Sequence, residues 1–570
     1  MQNNKYIVTL LFSSIVIYAL VVSCKPKALI TQLQKVEQYT TIELTLTSDG
    51  HHLNPSDNYT QVDVWAKFYN DKGDTLIRPA YWYGENIWKV RFSPPDNGNT
   101  WSWNSYCNDE TIIELSKLSG SFISIPYSGK NKLLKHGLLK MSEGKRNVVH
   151  ADGHPFLVVG DTPWALPFRA TVEQAKIYAA DRQRKGFNAA LLMSVQPDME
   201  AKGPNARNTA EGFVRGFSDL ANGHINKIQP AYFNYLDSLI DVLLDHGIVP
   251  VFQPIFHGYG WKGQKVLGNH IVPDEYERYC RYLLARYGSQ PAMWLLAGDN
   301  GGRDPGVKES GEMMEHWDCY KQPTGLHYNP CDNYVASWAI DNPLKHCEHL
   351  NESYQSEAWL DFQWAQSGHD GEHLQYKVNR MYDNQPTKAS ANGEPTYEGM
   401  AGGKNGLGWW QGKEAWQNLM NGGTMGVVYG AAGLWQWMIT GDEPGWPEWT
   451  DQKKSWQEAM QMEGSNYVGL VNKILEGYDL TDIEKRTDLT KRSFTNKPIL
   501  AKIGKLYIAY GETPTIKIIG VPADIPFTFY DPKTGHIIKN GKTKNDGLFI
   551  NPVEGPWVLV IGEKTGNSKY

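Results

Sequence analysis

PAYFNYLDSLIDVLLDHGIVPVFQPIFH, residues 230–257, sets two structural periods back to back. Over Pro230–His246 the residues Phe233, Leu236, Ile240 and Leu243 recur at helical spacing and share one face. Gly247 follows, the residue that best tolerates the left-handed turn at a helix end. The next stretch, IVPVFQPIFH, is apolar along its length, as a strand is when both of its faces are covered. Helix, glycine, buried strand is the grammar of a parallel α/β unit.

The same unit recurs on both sides. Thr171–Lys185 opens with a capping-box pair, Thr171 and Gln174, stops at Gly186 and leads into FNAALLMSVQ. Pro273–Tyr287 stops at Gly288 before AMWLLAGDN. FLVVGDTPW precedes these units; WLDFQWAQSGH, KASANGEPTYEG and GVVYGAAGLWQW follow, giving seven strands, with a weaker eighth around Gly325–Tyr328. Eight such units over residues 140–485 predict a (β/α)8 TIM barrel. A doubly wound nucleotide-binding sheet fits less well, because the first strand runs into Gly-Asp-Thr-Pro-Trp and not a glycine-rich phosphate loop.

The flanks read differently. IELTLTS, VDVWAKFY and WKVRFSPP alternate in strand fashion, with turn clusters between them, and predict an N-terminal β-sandwich over 36–128. LYIAYG, TIKIIGV, FTFYDPKTGHII and WVLVIG predict a second β-sandwich over 490–570. The expected architecture is therefore multidomain, a central TIM barrel between two β-sandwich domains.

Residues 1–23 read as a targeting segment. A short start with Lys5 leads into the apolar run YIVTLLFSSIVIYALVVS and then Cys24. Val21-Val22-Ser23-Cys24 resembles a bacterial lipobox, so Cys24 is the expected lipidation site and 24–35 a tether. The alternative is an uncleaved anchor, since about 18 apolar residues just span a bilayer. Export to a membrane-anchored position outside the cytoplasm follows. Five cysteines remain after Cys24, so at least one has no intramolecular partner. Cys319, Cys331 and Cys347 are near enough in sequence to consider pairing. His346-Cys347-Glu348-His349 lacks the second half of a zinc spacing, and no metal or cofactor is expected.

Charge excludes some partners. Lys and Arg total 56 against 62 Asp and Glu, without a basic run, so no nucleic-acid partner is expected. The chain is instead rich in Trp (21) and Tyr (31), whose flat faces and polar handles suit stacking on sugar rings. In a TIM barrel the chemistry sits where strands run into the following loops. Those positions hold Asp161, Trp164, Gln196, Gln253, His257, Asp299, Asn300, Gln366, His369, Glu394, Tyr397, Trp435 and Trp437. No serine elbow, cysteine nucleophile, phosphate cradle or H-E-x-x-H motif accompanies them. Two carboxylates among amides, imidazoles and indoles suit glycoside hydrolysis. Asp161, Trp164, His257, Asn300, Gln366, His369, Tyr397 and Trp437 are the expected substrate contacts. Placed two apart on one strand, Trp437 is expected at the barrel mouth and Trp435 beneath it in the core.

FLVVGDTPW, KGFNAALL, WLLAGDN, WLDFQWAQSGH, NGEPTYEG and YGAAGLWQW together resemble the apiosidase-like glycoside hydrolases, family 140. The resemblance extends to a DUF5060-type N-terminal sandwich and, through FYDPKTG and GPWVLVI, to a C-terminal module that carries a collagen-binding label. It implies cleavage of linkages to apiose in pectic side chains of plant or algal polysaccharide. It also implies a catalytic Asp after the fourth strand and a catalytic Glu after the seventh. These fall on Asp299, as general acid/base, and Glu394, as nucleophile, with Glu398 the rival for the second role. Ala297 departs from the glycine often found before the Gly-Asp pair. The alternative function is a non-catalytic glycan-binding lipoprotein on the same barrel.

Overall fold

The computed structural model describes residues 33–565 except 50–54, 198, 200–214, 259–265, 330–351, 370, 401–405, 442–452 and 491–496. Cys24, the apolar run before it, Cys331 and the 346–349 cluster lie outside the described residues. Among the described residues no helix is long and apolar enough to cross a membrane. Cys107, Cys280 and Cys319 carry free thiols.

Eight parallel strands form the centre: Val158–Asp161, Ala189–Met193, Val249–Gln253, Met293–Asn300, Thr324–Tyr328, Phe362–Gln366, Ala389–Glu394 and Gly426–Tyr429. Each pairs in parallel with the next as far as the seventh, and the eighth pairs with the first, Val158 to Asp161 against Gly426 to Tyr429. Individual backbone bonds join the remaining seam. Met425 N–H donates to Ser390 O (3.2 Å), Glu398 N–H to Gly430 O (2.8 Å) and Ala432 N–H to Glu398 O (2.9 Å). The weak eighth strand of the sequence reading is the fifth in order, Thr324–Tyr328, buried throughout.

The helix boundaries follow from local chemistry. Thr171 accepts the Gln174 N–H and Gln174 returns its side-chain oxygen to the Thr171 N–H, both at 3.2 Å, which starts Val172–Lys185. Gly186 ends it at φ 109°, and its missing Cβ lets the backbone of Gly469, on the last barrel helix Gly464–Leu475, press against it. Pro230–Asp245 buries Phe233, Leu236, Ile240 and Leu243 as its spacing predicts.

The N-terminal region packs a five-stranded sheet (Gln34–Glu37, Ser119–Ile125, Thr100–Cys107, Val64–Asn70, Thr75–Pro79) on a three-stranded one (Ile42–Thr47, Ile87–Phe92, Tyr81–Gly84). Phe68 and Phe92 stack across its core at 3.9 Å. Arg91 ties it to the barrel by pairing with Asp237 (2.7 Å), which also receives Arg286 (2.8 Å). The C-terminal region is a six-stranded sheet from Glu484–Arg486 to Trp557–Ile561 in chain order, with a two-stranded ribbon, Thr515–Lys517 and Leu548–Ile550.

Candidate active site

The fourth strand ends irregularly. Its pairing with the fifth slips between Leu295 and Ala297 and again between Ala297 and Asn300. Asp299 sits in the left-handed region at φ 61°, a conformation that costs energy for a residue with a Cβ. Gly298 makes the turn possible: a Cβ there would overlap the Gln253 amide at the end of the third strand. Bulges next to functional residues re-aim a side chain that a regular strand would direct elsewhere.

Glu394 closes the seventh strand, opposite Gln366 and past a second register slip. Its Oε1 lies 3.2 Å from His369 Nε2 and its Oε2 3.2 Å from His327 Nε2. His369 Nδ1 accepts the Tyr397 N–H at 3.3 Å, so the ring carries its proton on Nε2, facing Glu394. Tyr397 is buried with its ring 4.6 Å from His369. Its phenol accepts from Trp164 Nε1 at 2.8 Å, and burial and the Glu394 charge both push its pKa up. Trp164 lies nearly parallel to His327, 5.9 Å away.

The two carboxyls hold their protons differently. Burial pushes Asp299 well above the usual carboxylate range, the Glu394 charge adds to this, and a hydrogen bond from Gln366 offsets part. Burial alone would also raise Glu394, but the contacts with His327 and His369 outweigh it and lower its pKa. The two carboxyls are thus displaced in opposite directions, Asp299 toward the acid and Glu394 toward the carboxylate. That division permits proton donation and nucleophilic or basic attack within one pocket.

Five consecutive strand ends, the second to the sixth, carry buried polar atoms without a protein partner. They are the Gln196 and Gln253 amides, Asp299 Oδ1, His327 Nδ1 and Gln366 Oε1. Buried polar groups are normally hydrogen-bonded, so an arc of unpaired ones at the carboxyl ends of the strands marks the candidate site.

Trp164, Gln366, His369 and Tyr397 thus surround the carboxyl pair. The Asn300 side chain lies outside what is described. Three expectations need correction. Asp161 turns outward to the helix layer: it receives Tyr178 Oη (2.9 Å) and Arg182 Nε (2.6 Å), all fully buried, and is a structural ion pair, not a sugar contact. His257 is fully buried, edge-on to Tyr276 at 5.3 Å, and burial lowers its pKa to about 3; it stands in the wall as a neutral imidazole and not as an exposed contact. Trp437 is not on a strand, since the eighth strand ends at Tyr429. It is fully buried, stacked on Trp456 (4.7 Å, 6°), and donates Nε1 to Gln174 Oε1 at 3.0 Å. Trp435 is the more exposed of the two. The rival Glu398 is spoken for: it accepts from Tyr429 Oη (2.6 Å) and from the backbone of Gly408 (2.7 Å) and Gly464 (2.9 Å). His327 was not anticipated; it lies in the strand with the faintest sequence pattern.

Residues 142–482 match the family model described as the apiosidase-like catalytic domain, more than half the chain. The chain belongs to the apiosidase-like family. It is a glycosidase, and the barrel is its catalytic domain. Residues 35–108 match the DUF5060 domain of unknown function. No curated protein matches the chain. Among solved structures, this apiosidase-like chain is similar to a candidate glycoside hydrolase from Bacteroides vulgatus. That likeness has a TM-score of 0.64 at 16% identity, over 93% of this chain and 100% of the other. It is also similar to a family 5 glycoside hydrolase from the same organism, with a TM-score of 0.58 at 18% identity, over 76% and 95%. At these identities the likeness speaks for the shared fold.

Proposed function

We propose that the protein hydrolyses glycosidic bonds in plant or algal polysaccharide by a retaining mechanism, with apiose-linked pectic side chains as the leading substrate. The observation that carries this reading is that Glu394 and Asp299 lie buried at the ends of the seventh and fourth strands, with Glu394 held toward its charged form and Asp299 toward its protonated form. Glu394 attacks the anomeric carbon while Asp299 gives its proton to the departing oxygen, and the carbon–oxygen bond breaks. Asp299, now ionised, takes a proton from water. That water displaces Glu394 from the covalent glycosyl intermediate, restoring both groups. His369 and Tyr397 orient the nucleophile. Gln253 and Gln196 offer donors and acceptors to the sugar.

On this reading the enzyme works as an exported lipoprotein, anchored through Cys24 on the periplasmic or cell-surface side of a bacterial membrane. Several acyl chains give stable anchoring where one does not. Its partners are the polysaccharide and the membrane, and neither nucleic acid nor a cofactor takes part.

Product analysis on pectic, hemicellulosic and algal polysaccharides tests the substrate. Glu394→Ala should abolish turnover, with azide restoring part of it and giving the product of inverted configuration. Full activity in that variant, or an inverted product from the wild type, rejects the retaining assignment. Cys24→Ser should leave an unacylated precursor by mass analysis, and a mature chain starting elsewhere without diacylglycerol rejects the anchor.

A further inference from the structure

His136, Asp152 and His154 meet at the end of the barrel where the strands begin, the end away from Asp299 and Glu394. His136 closes the short helix Lys132–His136. Asp152 and His154 lie in the turn between the strands Val148–His150 and Pro155–Phe156, just ahead of the first barrel strand. Both imidazoles aim Nδ1 at the same oxygen, Asp152 Oδ2, at 2.7 Å from His136 and 3.2 Å from His154. The two rings are neighbours, 4.0 Å between centroids and tilted by 36°. The three ligand atoms are all within 4.8 Å of one another.

The backbone fixes this arrangement before any ion arrives. Asp152 Oδ1 accepts the His154 N–H at 3.0 Å, which leaves Oδ2 to the rings. Asp152 N–H donates to His136 O at 3.3 Å, and His150 N–H to His154 O at 2.8 Å. Ligands whose other atoms are already hydrogen-bonded are held in orientation, as in natural metal sites. Two nitrogens and one carboxylate oxygen suit zinc, nickel or copper rather than magnesium or calcium, which take oxygen shells. Bonds of about 2.0–2.2 Å put tetrahedral ligands roughly 3.3 Å apart, so His154 already stands at that spacing from Asp152 and His136 must move away by about 0.6 Å.

We propose that His136, Asp152 and His154 form a binding site for a divalent transition-metal ion of the zinc type, with its remaining positions open to solvent. The ion would clamp the helix end to the turn that feeds the first barrel strand, a structural role remote from the chemistry.

The test uses the full chain without a histidine tag, stripped with EDTA and titrated with zinc chloride by calorimetry and by thermal melting. One ion per chain, a melting temperature raised by zinc and returned by EDTA, and no response to magnesium chloride are expected. Asp152→Asn and His154→Ala should each weaken zinc binding at least tenfold. Both residues are exposed, so the metal-free melting temperature of each variant should match the wild type and show that it is folded. No zinc binding by the wild type, or binding by the two variants as tight as the wild type's, overturns the site.

Discussion

The charge on Glu394 helps to hold the proton on Asp299. The two carboxyls are buried in one pocket and are displaced in opposite directions, Asp299 upward and Glu394 downward.

Opposite displacements predict opposite stability effects. Asp299 has a folded pKa above its unfolded value, so its stabilising contribution is complete below about pH 4 and is lost as pH rises toward the folded pKa. Asp299→Asn, which cannot ionise, should therefore melt higher than the wild type at pH 7, by on the order of 1 kcal/mol or more. The gap should close as pH falls to about 4. Glu394 runs the other way: it stabilises above its unfolded pKa and ceases to do so as pH falls toward about 2. Glu394→Gln should cost about 1–3 kcal/mol at pH 7, less whatever Asp299 regains once its charged neighbour is gone. Melting curves from pH 3 to 8 decide; shifts of the same sign reject the division of charge.

His369→Phe should move the acid limb of kcat/KM upward by about one pH unit, because Glu394 loses a hydrogen bond to its charged form. The wild type should keep its activity to lower pH than the variant. Superimposable profiles would separate His369 from the nucleophile.

Gly298→Ala should impair both folding and catalysis. Its Cβ would overlap the Gln253 amide, and overpacking of this kind costs about 1–3 kcal/mol. Removing that amide in Gly298→Ala/Gln253→Ala should restore most of the melting temperature but not the activity, because Asp299 is re-aimed. A single variant with wild-type stability and turnover contradicts the contact.

Trp437→Ala should destabilise the protein by about 3–5 kcal/mol, since it empties a stacked core position, with KM little changed in the folded fraction. Trp435→Ala should be the milder change in chemical denaturation. The reverse order would return Trp437 to the mouth.

The barrel was legible because each helix ends where its spacing says it should and each strand that follows is apolar throughout. The carboxyl pair was legible from strand ends and resemblance together. What misled was direction. Asp161 occupies a strand end as Asp299 does, yet Arg182 on the next helix draws it outward, and that ion pair depends on an approach only the fold creates. Trp437 was placed by strand alternation along a segment that had already left the strand after Tyr429. His327 stayed hidden because TGLHY carries a polar residue in mid-strand, which in an open sheet would mean exposure and here means the inside of a barrel. His136 and the HADGH turn are far enough apart in sequence that only the folded hairpin brings them together.

The shared oxygen of Gln174 has a consequence for how the chain is made. The start of the first barrel helix is capped by a side chain that also receives the indole of Trp437, and the first strand finds one of its two neighbours only in Gly426–Tyr429. A nascent chain that stops short of the eighth strand exposes an unpaired edge on both its first and its seventh strands, the kind of surface on which β-rich chains associate. Productive folding must therefore wait for the last third of the polypeptide.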